Sequence, residues 1–157
     1  MEKINSEEIV VEVRRVGQQA GSSEPEKAEV DEMQSFVGNK SNQRWLWHAI
    51  DHYTGEVLAF VLGTREDEVF VQLKKLLKPF GITKFYTDGL KTYQRHISPQ
   101  KHQISKFKMQ RIERNHLTLR TRIKRLQRKT ICYSSSVLRH DIVIGLLITK
   151  YEFGVEI

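Results

Sequence analysis

Six consecutive apolar residues, Val57 to Leu62, stand between Glu56 and Gly63 in the segment EVLAFVLG. A run this short and continuous reads as a β-strand covered on both faces. The segment before it, RWLWHAID, alternates instead: Trp45, Trp47 and Ala49 fall on one face, and Leu46, His48 and Ile50 on the other. YTG between them supplies a tight turn, so the two strands predict a hairpin. A strand needing cover on both sides puts the sheet in the middle of the molecule, with helices outside it.

The flanking sequence fills in that plan. AEVDEMQSFVG alternates in part and ends in Gly38, which predicts a first strand around Asp31, with NKSNQ as a turn. REDEVFVQLKKLLKPFG predicts a helix whose buried stripe is Val69, Leu73, Leu76 and Leu77. Acids open it, and Pro79 and Gly81 stop it. ITKFYTDG reads as a fourth strand ending at Asp88 and Gly89, LKTYQRHI as a short helix and KHQISK as a fifth strand. A long helix is predicted from about Met109 to Lys129, because Met109, Ile112, His116, Leu119, Ile123 and Leu126 share one face. SSVLRHDIVIGLLITKYEF predicts a last helix. The expected fold class is α/β, a mixed five-stranded sheet flanked by helices.

The chain of 157 residues suits one domain with a real core. Residues 1–28 form an exception: VVEVRRV could be a short strand, but QQAGSSEPEK has a linker composition. This segment reads as a weakly ordered arm or the remnant of a preceding module, with the domain proper at 29–157. One cysteine, Cys132, excludes an internal disulfide framework and a Cys-rich zinc ribbon, and fits a reducing cytoplasm. No window suggests a membrane span, and the acidic, alternating N-terminus is unlike a signal peptide.

Net charge is +7, and it is unevenly spread. Residues 1–30 carry −3; residues 101–129 hold eleven Lys or Arg and one acid, Glu113. A basic block of this kind suits a polyanion such as nucleic acid, and equally a solvated helix face.

Three carboxylates stand out. Asp31 sits inside an apolar strand, where a charge needs a partner or a metal. Asp88 closes a strand just before Gly89, at the end where open α/β sheets place ligands. Glu113 borders the apolar stripe of the basic helix. If the first and fourth strands are neighbours, the three converge and can bind hard divalent cations through oxygen. Two such ions roughly 3.5–4 Å apart support in-line phosphoryl displacement. Each residue also has a plainer reading: Asp31 as a turn or strand-end residue, Asp88 as part of a TDG turn, Glu113 as a surface charge paired with Arg114 or Arg120. Arg120 lies two helical turns after Glu113 and could hold a phosphate or simply face solvent. His116 could touch DNA or pack at the core edge. Trp45 and Trp47 could stack on bases or fill the core. His48, His52, His96, His102 and His140 show no zinc spacing, and Cys132 reads as structural.

Taken in order, DEMQSFVG, NQRWLWHAID, TGEVLAFVLG, FYTDG, QRIERNHLTLRTRIKRL and HDIVIGLLITKYEF resemble transposases of the insertion-sequence-one family, and more narrowly its downstream catalytic frame, from about Glu29 to Gly154. The resemblance implies an RNase H-like DDE recombinase. It places the family's two Asp residues on Asp31 and Asp88 and its Glu on Glu113, separated by 57 and 25 positions. The basic residue usual seven positions after the Glu falls on Arg120. The same resemblance implies two Mg²⁺ ions, with Mn²⁺ as a substitute, held by the three carboxylates. It also implies cleavage at element ends and strand transfer into target DNA, with Arg120, His116, Arg111, Arg114 and Lys124 as DNA contacts. Its implied partners are DNA, further copies of the chain on that DNA, and an upstream-frame zinc and helix-turn-helix module, in a prokaryotic, nucleoid-associated setting. Gln34 and Leu90 depart from the family pattern, where aromatics are usual. Two rival functions are an RNase H-like nuclease that cuts without joining and a non-catalytic DNA-binding regulator.

Overall fold

A computed structural model describes residues 9–11, 27–37, 39–123 and 137–153. Strands β1 (Ile9–Val11), β2 (Lys27–Val37), β3 (Asn39–Asp51) and β4 (Val57–Gly63) lead into helix α1 (Asp67–Leu77). Then come β5 (Lys84–Thr87), α2 (Lys91–His96), β6 (His102–Ile104), α3 (Gln110–Arg122) and α4 (Val137–Phe153). One mixed sheet runs in the order β1-β4-β3-β2-β5-β6. The strands β2, β3 and β4 are antiparallel, whereas β5 runs parallel to β2, and β6 parallel to β5. The parallel pair β5 and β6 needs a crossover, which α2 supplies. This arrangement of the five strands β2 to β6 is that of an RNase H-like fold. Ile9–Val11, inside the segment expected to be a weakly ordered arm, adds a sixth strand along β4.

Every residue of β4 is buried, as its continuous apolar run requires. The sheet separates two cores. On one face Val30, Trp47, Ala49 and Val61 pack against Val69, Phe70 and Leu73 of α1 and Tyr93 of α2. On the other, Met33, Leu46, Phe60 and Leu62 meet Ile112, Leu119 and Ile123, with Ile144 and Ile148 of α4. Trp47 is therefore core: its indole N–H donates to the Thr64 carbonyl at 2.8 Å, and its ring meets the edge of Tyr93. Trp45 is half-buried beneath the Arg65 guanidinium.

The hairpin turn between β3 and β4 is built by Asp51, whose Oδ1 accepts the N–H groups of Tyr53 and Thr54 at 2.7 and 3.0 Å. Gly55 then takes φ +75°, a conformation open to glycine at little cost.

Three element boundaries differ from expectation. NKSNQ is not a turn but the start of β3, because its backbone pairs with the end of β2 beyond the apolar core. α1 stops at Leu77, and a 3₁₀ turn, Lys78–Phe80, carries the chain to Gly81; Phe70 is buried in the stripe, and Leu76 only half-buried. α3 stops at Arg122, since Ile123 is extended (φ −114°, ψ 102°), although its side chain stays buried. Leu126, Lys124 and Cys132 lie outside the described residues.

α4 is fastened to the sheet by polar as well as apolar contacts. The Arg44 guanidinium makes a buried two-pronged ion pair with Asp141, and His140 donates to Ser35 Oγ at 2.8 Å. Ser35 in turn donates to the Arg44 carbonyl.

Candidate acidic site

Alternation along β2 points Glu29, Asp31 and Met33 toward α3, and Val30 and Glu32 toward α1 and α2. The parallel register pairs Glu29 with Tyr86; continued by two residues, it sets Asp88 level with Asp31, where β5 ends. Asp31, Glu32 and Asp88 each offer a carboxylate oxygen, and the three lie within 4.8 Å of one another. Glu32 was not anticipated from the sequence; its only signal was adjacency to Asp31 in DEM.

Each acid is held differently. Asp88 Oδ1 accepts the Leu90 N–H at 2.9 Å, which turns the chain into α2. Glu32 accepts from the Tyr93 hydroxyl and, at 3.0 Å, from Arg65. Burial still pushes its carboxyl up, as does the Asp88 charge. Asp31 carries the larger strain. Burial first, then the charges of Glu32, Asp88 and Glu113, push it up to about 8. The cluster thus has more negative charge than its protein neighbours offset, which is the condition a divalent cation relieves.

Glu113 is exposed on α3, not merely bordering its apolar stripe. It is near enough for its charge to raise Asp31, yet it is not one of the three converging acids.

His116 is buried, with Nδ1 3.5 Å from Asp31 Oδ2, so it faces the site carboxylate. Its ring position follows from a chain of hydrogen bonds. The Asn115 amide nitrogen donates to Glu152 at 3.0 Å, which turns Oδ1 toward His48 Nε2, also at 3.0 Å. A carbonyl oxygen only accepts, so His48 Nε2 carries the proton. Complete burial lowers His48 to about 4 and keeps it neutral. Its Nδ1 is therefore bare and accepts from His116 Nε2–H at 3.2 Å. That leaves His116 Nδ1 toward Asp31.

Of the other expected DNA contacts, Arg111 and Arg114 are exposed on α3, Arg120 is half-buried, and Lys124 lies outside the described residues. Among the described residues, no helix is long and apolar enough to cross a membrane.

The class defined so far is structural: an RNase H-like sheet with carboxylates gathered where β5 ends and a basic helix, α3, beside them. The family model for IS1 transposases matches residues 27–154. The chain belongs to the IS1 transposase family, and so to DNA transposition. It is 52% identical over 125 residues to the insertion element iso-IS1n protein InsB of Shigella dysenteriae, covering 80% of this chain and 95% of that protein. It is 43% identical over 127 residues to the insertion element IS1 2 protein InsB of Escherichia coli K12, covering 81% and 76%. Among solved structures, the catalytic core domain of BIV integrase aligns with a TM-score of 0.47 at 14% identity, covering 80% of this chain and 84% of that one.

Proposed function

We propose that this chain is the DDE-type catalytic part of a transposase, cutting DNA at insertion-sequence ends and joining the freed ends to target DNA. The observation that carries the reading is the meeting of Asp31 and Asp88, far apart in sequence, within one 4.8 Å acidic group in a chain of a transposase family.

Asp31 and Asp88 would hold divalent cations, Mg²⁺ or Mn²⁺, with Glu113 reaching in from α3. Bound there, the cations would offset the site's negative charge and that of the phosphodiester. The roles of the chain's own groups follow from their positions. Glu32 is tied to Tyr93 and Arg65 and supports the cluster from the opposite face of β2. His116 lies against Asp31, where it would touch a phosphate bound at the site. Arg111, Arg114 and Arg120 line the helix along which a DNA backbone would run, supplying affinity that depends on salt and not on sequence. In the proposed reaction, water attacks phosphorus at the element end and the 3′ oxygen leaves with a proton as a hydroxyl. That hydroxyl then attacks a target phosphodiester, forming one P–O bond as another breaks. Assembly of several copies on paired ends, and end recognition by a separate helix-turn-helix module, belong to the same reading.

The test is nicking and joining of supercoiled plasmid in Mn²⁺ by the purified chain, beside Asp88→Asn. Joined products that require Asp88 support the reading. Nicks without joining point to a nuclease. DNA binding unchanged by metal or by Asp88→Asn, with no cleavage, points to a regulator.

A further inference from the structure

Glu29 is completely buried on β2, two residues before Asp31 and on the same face. The acidic cluster does not include it. Its Oε1 accepts the Ile112 backbone N–H at 3.1 Å, and the Arg111 N–H is also directed at it. Its Oε2 is 2.9 Å from His52 Nδ1, next to the hairpin turn.

These contacts answer a need of α3. The first N–H groups of a helix have no partner within it, and Met109, at the N-cap position, makes no side-chain cap bond. Glu29 provides that cap from another element, its carboxyl oxygen accepting the N–H that the helix leaves without a partner. The bonded residue, Ile112, immediately precedes Glu113. The strand that carries Asp31 and the helix that carries Glu113 are therefore pinned together within one or two residues of both acids. An apolar stripe alone holds a helix against a sheet but leaves it room to slide or rotate. A directional bond fixes the level.

We propose that Glu29 is a positioning residue that sets Glu113 against Asp31 by capping α3 across the sheet. This rests on the metal-site reading above. It predicts that the acceptor oxygen matters and the charge does not.

The experiment measures Mn²⁺ binding by electron paramagnetic resonance, with no DNA present, alongside plasmid nicking. The variants are Glu29→Gln, Glu29→Leu, Asp88→Asn and Leu73→Ala, the last opening the core on the far face as a control for lost stability. Glu29→Gln, which keeps an acceptor for Ile112, should stay within about threefold of wild type in both readouts, whereas Glu29→Leu should weaken Mn²⁺ binding and nicking by about tenfold or more while still folded by circular dichroism. Leu73→Ala should leave Mn²⁺ affinity near wild type. Wild-type Mn²⁺ affinity in Glu29→Leu, or an equal loss in Leu73→Ala, overturns the proposal. Should Glu29→Leu fail to fold, Glu29→Asp, a carboxylate one methylene short of Ile112, carries the test with the same expected loss, and unchanged affinity overturns it. Mn²⁺ binding retained by Asp88→Asn would overturn the metal-site reading and this inference with it. Binding lost in Asp88→Asn but kept in Glu29→Leu overturns this inference alone.

Discussion

Replacing Asp31 by Asn should stabilise the metal-free protein. In the folded chain the carboxyl is pushed from 3.8 up to about 8, chiefly by burial and then by neighbouring acids. At about 1.4 kcal/mol per unit, that shift corresponds to at most about 6 kcal/mol of destabilisation when the group is ionised. The Glu32 backbone N–H bonded to the carboxylate and local relaxation offset part of this. Measured costs of burying an uncompensated polar group are about 1–3 kcal/mol, so the expected gain from Asp31→Asn is about 2–3 kcal/mol. For a chain of this length that is a rise in Tm of about 5–10 °C. The sign with pH is fixed by the raised value. Below 3.8 the carboxyl is protonated whether the chain is folded or not, and Asp31→Asn should gain nothing. The gain should grow as pH rises from there and be complete above about 8. Thermal unfolding in EDTA across this range, followed by circular dichroism, measures it. Added Mn²⁺ should then raise the Tm of wild type and not of the variant, because a ligand stabilises only the state that binds it. A variant no more stable than wild type above pH 8, or a gain independent of pH, would refute the argument that Asp31 carries uncompensated charge.

Other consequences follow from single contacts. Glu113→Gln should leave the unfolding free energy within about 0.5 kcal/mol of wild type, as for exposed surface changes, yet abolish plasmid cleavage; retained cleavage would remove Glu113 from the site. Asp141→Ala strands the buried Arg44 guanidinium and should cost about 3–5 kcal/mol in denaturant titration, while the double variant Arg44→Met, Asp141→Leu should recover most of it. Imidazole ¹⁵N spectra should show His48 as the neutral Nε2–H tautomer, remaining neutral until pH falls to about 4. An Nδ1–H signal would break the hydrogen-bond chain that orients His116.

Much of the fold was legible because its signals are periodic. The apolar run of β4 announced a strand covered on both faces, and the stripe Met109, Ile112, His116, Leu119 and Ile123 is buried as a unit. The period says which side is inside, not where a helix ends, so α3 stops at Arg122 while the pattern runs on. Polar residues 39–43 form the start of β3 because a backbone ladder needs no apolar side chains once its partner strand is in place. At the site, Asp31 and Asp88 were legible as charges at strand positions. Glu32 was not, since alternation assigns it to the opposite face; only the meeting of β2 with the end of β5 brings it within reach. Glu29 and His48 were hidden for a related reason. Their importance lies in contacts with α3, and no local pattern in β2 or β3 records which helix crosses above.

Asp31 and Asp88 are proposed to form a metal-dependent centre for DNA cleavage and joining. Incubation of supercoiled plasmid and end-bearing DNA with Mn²⁺ and the purified chain, or with Asp88→Asn, tests it most directly. Wild type should give nicked and joined products in Mn²⁺ and none in EDTA, and Asp88→Asn should give none. Equal products from both proteins would contradict it.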